Sequence, residues 1–140
     1  MVFAKTFDKV PHRRLLYKLE YYGITAKSLN WISAFLSNRT QTVVIDGKTS
    51  NTVPVTSGVP QVAVLGPVLF LAYINDLPVY LTNSKLRLFA DDSIIYTLVR
   101  SQSDCEKLQV DLDAAAILVR DWLMAFHPDK CTVLPVTQKM

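Results

Sequence analysis

Two adjacent carboxylates, Asp91 and Asp92, are the residues of this chain best placed to do chemistry. They lie between two apolar, β-prone runs, Leu86-Arg87-Leu88-Phe89 and Ile94-Ile95-Tyr96. The runs read as strands and Ala90-Asp91-Asp92-Ser93 as the turn between them, which makes a hairpin. Aspartate is a favoured turn residue, so a hairpin tip alone accounts for the pair. Paired carboxylates on a rigid tip also suit divalent metal ions, and through them phosphoryl or nucleotidyl transfer. Residue type and spacing leave both readings open, so the elements around the tip have to decide.

The chain of 140 residues has length for one domain with one real core. Half of its residues are apolar and 19% are charged, a balance that excludes a disordered chain. The net charge of +3 is too small to mark a nucleic-acid partner by itself, but it is unevenly spread. Residues 1–40 carry seven Lys/Arg against two Asp/Glu, residues 41–100 four of each, and residues 101–140 four against six. A basic first third could line a polyanion groove, and it could equally be a solvated helix face. Two cysteines, Cys105 and Cys131, provide neither a disulfide framework nor a metal-site spacing, so a reduced, intracellular setting is expected. The first residues reach a charge, Lys5, before any apolar run develops, and no secretory signal is expected. The run from Val62 to Ile74, broken by Gly66-Pro67, is too short to span a bilayer.

Taken in order, Val2 to Phe7 reads as a short strand that exits through Asp8-Lys9-Val10-Pro11. His12 to Tyr22 has helical spacing at Leu15, Leu16, Leu19 and Tyr22, and Gly23 ends it. Thr25 suits the N-cap of a second helix with Leu29, Ile32, Phe35 and Leu36 on one face. Thr42–Ile45 and Thr52–Val55 are β-like runs around Asp46-Gly47-Lys48, a turn signal, and Pro54 marks an edge strand. The polar Gly/Pro loop Thr56–Gln61 leads into a largely buried helix from Gly66-Pro67 to Leu77. After the Asp-Asp hairpin, Ser101 can N-cap a long helix with Asp104 in its first turn and Leu108, Leu112, Ala115, Leu118 and Val119 on one face. Phe126 to Leu134 reads as a turn and then a strand. The order predicts an α+β fold, an antiparallel sheet with helices on one face.

With the elements in place, the chain resembles a family. Phe89-Ala90-Asp91-Asp92, Ser57-Gly58-Val59-Pro60-Gln61 and Lys5-Thr6-Phe7-Asp8-Lys9-Val10-Pro11-His12 are similar to the reverse transcriptases of non-LTR, LINE-type retrotransposons. Trp31–Arg39, Leu65–Phe70, Tyr73–Pro78 and Trp122–Cys131 extend the likeness over almost the whole chain. The resemblance implies a partial reverse transcriptase domain over residues 1–140, the palm subdomain of a right-hand polymerase, with the fingers mostly absent and the thumb absent. It also implies a reaction: a primer 3′-hydroxyl attacks the α-phosphate of a deoxynucleoside triphosphate, copied from an RNA template. The expected partners are therefore RNA template, DNA primer and dNTP, with no membrane, and the expected cofactor is Mg2+ held by carboxylates. Asp91 matches the stronger metal ligand and Asp92 the supporting one. Phe7 matches the aromatic beneath the incoming sugar, Gln61 the glutamine touching nucleotide and template, and Lys130 a lysine that protonates pyrophosphate. The basic residues assigned to nucleic-acid contact are Lys5, Lys9, Arg13, Arg14 and Lys18. The family works in cytoplasm and nucleus.

Three departures qualify the activity. The family places its first catalytic aspartate five residues before the aromatic matched by Phe7, and here that position is Val2. Asp8, six residues further on, would lie about 20 Å away along an extended strand, out of ligand reach. The matched glutamine is followed by Val62 and Ala63 instead of glycine and serine. A β-branched residue is ill suited where backbone must approach a ligand closely. Finally, on this alignment the chain starts inside the first palm strand and stops just after Lys130. These departures predict a polymerase segment that is catalytically impaired and binds magnesium weakly. A non-catalytic nucleic-acid-binding remnant and a decayed reading frame without selected function are the alternatives.

Overall fold

Apolar residues spaced three and four apart make helices of the stretch from Thr6 to Leu36. The computed structural model describes residues 1–61 and 63–137. Its chain forms two compact units, Lys5–Asp76, and Met1–Ala4 together with the chain from Leu77 on.

In the first unit, α1 (Thr6–Lys9), α2 (His12–Tyr21) and α3 (Ala26–Leu36) follow one another. Leu15 and Leu19 are buried on α2, and Ile32 and Leu36 on α3, each pair one turn apart. Of the strand expected over Val2–Phe7, only Val2 and Phe3 pair, each through a single antiparallel bridge. Lys5 adopts a left-handed backbone, φ 48°, and the chain turns directly into α1. The buried residues Phe3, Thr6 and Val10 sit three and four apart, a helical and not an alternating spacing. Asp8 accordingly sits on an exposed face of a helix, not at a strand exit.

The expected hairpin over 42–55 is present but interrupted. Its inner pair is β2 (Val44–Ile45) with β3 (Lys48–Thr49), closed by Asp46 and Gly47, both at positive φ as a type I′ turn requires. Its outer pair is β1 (Thr40–Gln41) with β4 (Val53–Pro54). Between them the Ser50 amide donates to the Val43 carbonyl (2.8 Å), while the Val43 amide is taken by the Ser50 hydroxyl (3.0 Å). The apolar helix is α4 (Leu65–Ile74), which buries Leu69, Phe70, Tyr73 and Ile74. It ends before the expected Leu77. Pro78 cannot continue an α-helix, and Leu77–Tyr80 instead forms a 3₁₀ turn in the second unit.

The second unit is built on the hairpin of β5 (Lys85–Phe89) and β6 (Asp92–Tyr96), which pair antiparallel with Phe89 opposite Asp92. Helix α5 (Gln102–Asp121) starts at Ser101 with a capping box: Ser101 accepts from the Asp104 amide while Asp104 reaches back to the Ser101 amide. Val2 bridges to Asp92 and Phe3 to Phe126, so residues 2–3 run between the hairpin and the chain near Phe126. The Phe3 and Phe126 rings meet there at a 36° tilt, their centroids 4.8 Å apart. The strand expected after Pro128 is absent. Pro128–Lys130 is a 3₁₀ turn, and Val133, Leu134 and Val136 beyond it are exposed, with no strand paired to them. The result is a mixed helix and sheet fold whose described residues form three separate two-stranded antiparallel sheets, not one continuous sheet.

Candidate active site

The β5–β6 hairpin places Asp91 and Asp92 at its tip. The turn is Ala90-Asp91, with Ala90 at φ 52°, the positive value that a type II′ turn demands of its first central residue. Asp91 is half-buried and Asp92 exposed, opposite Phe89, which is 83% exposed. The segment holding the tip from the side is Met1–Phe3. The Phe3 amide donates to the Asp91 carbonyl (3.2 Å), and the Ser93 amide donates to the Met1 carbonyl (2.8 Å). On its other edge, the Val2 carbonyl accepts from the His127 amide (2.8 Å), and Ala4 donates to Ala125 (2.7 Å).

Residue 2 therefore lies directly across from Asp92. Its side chain is an isopropyl group, which ligates nothing. Among the described residues no group of three or more His, Cys, Asp or Glu side chains converges as a metal site. Two carboxylates from one tip do not fit a two-metal cage. Lys130 ends the exposed turn Pro128–Lys130, three residues beyond the His127 amide bonded to Val2.

Phe7 and Gln61 belong to the other unit, and there the loop before α4 is strapped down. Gly58 donates to the Val10 carbonyl (2.8 Å), Val59 to the Phe7 carbonyl (2.6 Å), and the Ser57 hydroxyl to the Asp8 carbonyl (2.8 Å). The Gly58 carbonyl meets His12 Nε2 (2.8 Å) and accepts from Arg39 Nη2 (3.0 Å). Gly58 has φ 87°, and a Cβ there would lie 2.5 Å from the Phe7 carbonyl oxygen. Only glycine satisfies both constraints. Phe7 is half-buried with its ring 5.6 Å from that of Phe70, and Gln61 is exposed at the loop's end. Val62 lies outside the described residues.

The basic residues divide. Lys5, Lys9 and Arg13 are exposed. Lys18 is not a free cation: its ammonium donates to Asp76 Oδ1 and to the Tyr73 carbonyl, both at 2.6 Å. That carbonyl is in the last turn of α4, so Lys18 also complements the negative end of the helix. Burial pushes the Lys18 amine below its ordinary pKa, while Asp76 pulls it back up. Arg14 hydrogen-bonds the Tyr73 hydroxyl, whose pKa burial pushes up to about 12. Lys18 is thus engaged within its own unit, paired with Asp76 and the end of α4.

Sequence reading missed Asp111 altogether. It is 1% exposed in the middle of α5, and its carboxylate accepts from residues 82–84. A signal was there: residues 108, 111, 115 and 119 follow the helical period, and a charge sits at a core position of that stripe.

A family model described as reverse transcriptase (RNA-dependent DNA polymerase) matches residues 1–139. The chain belongs to that family. It is 31% identical over 135 residues to the RNA-directed DNA polymerase from mobile element jockey of Drosophila melanogaster, a match covering 91% of this chain. The jockey polymerase of Drosophila funebris is 29% identical over 145 residues, covering 95% of the chain. The probable RNA-directed DNA polymerase from transposon BS of Drosophila melanogaster is 26% identical over 140 residues, covering 90%. The match takes in 15% of each relative's length. The resemblance to non-LTR retrotransposon reverse transcriptases holds, and this reverse transcriptase segment spans both units of the fold. No helix among its described residues is long and apolar enough to cross a membrane.

Proposed function

We propose that the chain is a palm segment of a non-LTR reverse transcriptase whose ancestral reaction is RNA-templated DNA synthesis, and that this copy is catalytically impaired. Asp91 and Asp92 are its inherited metal pair, Phe7 and Gln61 its nucleotide-facing residues, and Lys130 the candidate proton donor to pyrophosphate. RNA template, DNA primer and dNTP are the partners of the parent activity. Nucleic-acid contact falls to Lys5, Lys9, Arg13 and Arg14.

The observation that carries the impairment is the Val2–Asp92 bridge. It supports the alignment that assigns residue 2 to the third carboxylate, because the backbone there already flanks the tip. Magnesium needs several hard oxygen ligands, and an alkyl group in that place withdraws one. The test is Mn2+ and Mg2+ titration with primer extension on four proteins: the chain as given, Val2→Asp, Val62→Gly and the double variant. Metal binding is expected to tighten at least tenfold in Val2→Asp, with primer extension confined to proteins that carry it. Extension by the unmodified chain equal to that of the double variant would overturn the impairment. Loss of metal binding in Asp91→Asn of the Val2→Asp protein confirms where the metal sits, and its retention would refute the assignment of the tip.

A further inference from the structure

Asp111 is a buried charge in the middle of α5, outside every residue set used above. Each of its oxygens accepts three hydrogen bonds. Oδ1 takes the Thr82 amide (3.2 Å), the Thr82 hydroxyl (3.4 Å) and Asn83 Nδ2 (3.1 Å). Oδ2 takes the Asn83 amide (2.9 Å), the Ser84 amide (2.7 Å) and the Ser84 hydroxyl (2.6 Å). All six donors belong to three consecutive residues, and Ser84 is the residue before β5 begins. The far end of the other strand reaches the same turn, where the Thr97 hydroxyl donates to the Asn83 carbonyl (3.3 Å).

We propose that Asp111 is the positioning residue of the Asp91–Asp92 tip: by gripping Thr82–Ser84 it fixes the base of the β5–β6 hairpin, and with it the pose of the two carboxylates. An isolated two-stranded hairpin is marginal in water. This one buries only Leu86 and Ser93 fully, so its own side chains do little to hold it in place. Its placement comes from its two ends. At the tip it is held by backbone bonds to Met1–Phe3, and at the base by Asp111. Helix α5 is a firm anchor, capped at Ser101 and packed through Ala115 and Val119. The grip needs a carboxylate. An asparagine would turn an amide –NH2 toward one side, where the hydroxyl can swing round to accept but the two N–H groups lose their acceptor.

The claim about position stands on these contacts; its consequence for metal binding rests on the polymerase reading. Amide exchange by NMR, followed by Mn2+ broadening of the tip amides, separates the two in the full chain and in Asp111→Asn, Ser84→Ala and Asp113→Asn. Asp113 is an exposed carboxylate on the same helix and controls for charge. Exchange across Leu86–Ile95 is expected to quicken tenfold or more in Asp111→Asn and severalfold in Ser84→Ala. Ala115–Arg120 should stay at parent rates, and Asp113→Asn should change nothing. The Mn2+ concentration for half-broadening at Ser93 should rise severalfold in the first two variants only. Should Asp111→Asn fail to fold, Ser84→Ala carries the decision. Hairpin exchange at parent rates in Ser84→Ala, or equal quickening throughout the unit, would overturn the proposal. Absence of tip broadening in the parent would sink the metal reading, while the exchange pattern still decides the role of Asp111.

Discussion

The Ser57–Gln61 loop and the Asp91–Asp92 tip are both short polar turns between ordered elements, and they are held in opposite ways. The loop is fixed by what its residues are. Gly58 fits because no Cβ does, and its carbonyl is met by two specific side chains, His12 and Arg39. The tip is fixed mainly by backbone groups: the Phe3 amide on the Asp91 carbonyl, and the Ser93 amide on the Met1 carbonyl, to which the buried Ser93 hydroxyl adds one side-chain bond (3.0 Å). Valine at position 2 makes the same bridge that aspartate would. The fold therefore enforces glycine at position 58, while the backbone pairing of residue 2 with the tip makes no such demand on its side chain. Under the impairment proposed above, a chain released from catalysis would lose residues of the tip's kind first, and position 2 is of that kind.

The sharpest way to break this contrast is Gly58→Ala. The substitution imposes a side chain at φ 87° and places a methyl 2.5 Å from the Phe7 oxygen, with Asp8 Cα at 2.8 Å. Left-handed strain and a backbone clash together should cost on the order of 3 kcal/mol or more. Urea denaturation measures it. A loss under about 1 kcal/mol would mean that the loop yields easily and that the contrast is false.

Acid should act on the base of the hairpin. Burial alone would raise the Asp111 carboxyl, but hydrogen bonds from Ser84, Asn83 and Thr82 outweigh it and hold the pKa down to about 2. A folded pKa below the unfolded one, near 3.9, means the carboxylate stabilises the fold above pH 4 and loses that contribution as pH falls toward 2. The melting temperature of the parent should drop across that window more steeply than that of Asp111→Asn. Parallel profiles would show that Asp111 is not the group titrating.

Much of this was legible in the sequence for one physical reason: helices and hairpins leave periodic traces. The α2, α3 and α5 stripes, the Ser101 cap and the Asp-Asp hairpin all carry local signals. The misread segments are those where long-range contact decides. Val2–Phe7 has the composition of a strand, yet Lys5 turns left-handed and residues 6–9 coil. Lys18 looked like one more basic residue on a basic helix until Asp76, 58 positions away, came to lie 2.6 Å from it. Asp111 went unmarked because its six donors lie 27–29 residues upstream. The carboxylate pair and its valine neighbour could be named from the sequence, but their adjacency is a fact of strand pairing, which composition does not encode.

The smallest expected effect sharpens the comparison from the other side. Ala90 holds φ 52° at the tip, a conformation that costs an L-residue about 1–2 kcal/mol. Glycine would relieve that strain but gives back part of the gain through greater freedom in the unfolded chain. Ala90→Gly should therefore stabilise the protein slightly, by about 0.5 kcal/mol. At Gly58, packing admits a single residue type. At Ala90 the fold tolerates a residue that is not the one its backbone conformation favours. A denaturation midpoint that rises in Ala90→Gly with an unchanged slope fits a tip that folding has not optimised. A clear fall would mean that the alanine methyl makes a contact the fold relies on, and the tip would then be enforced by packing as the loop is.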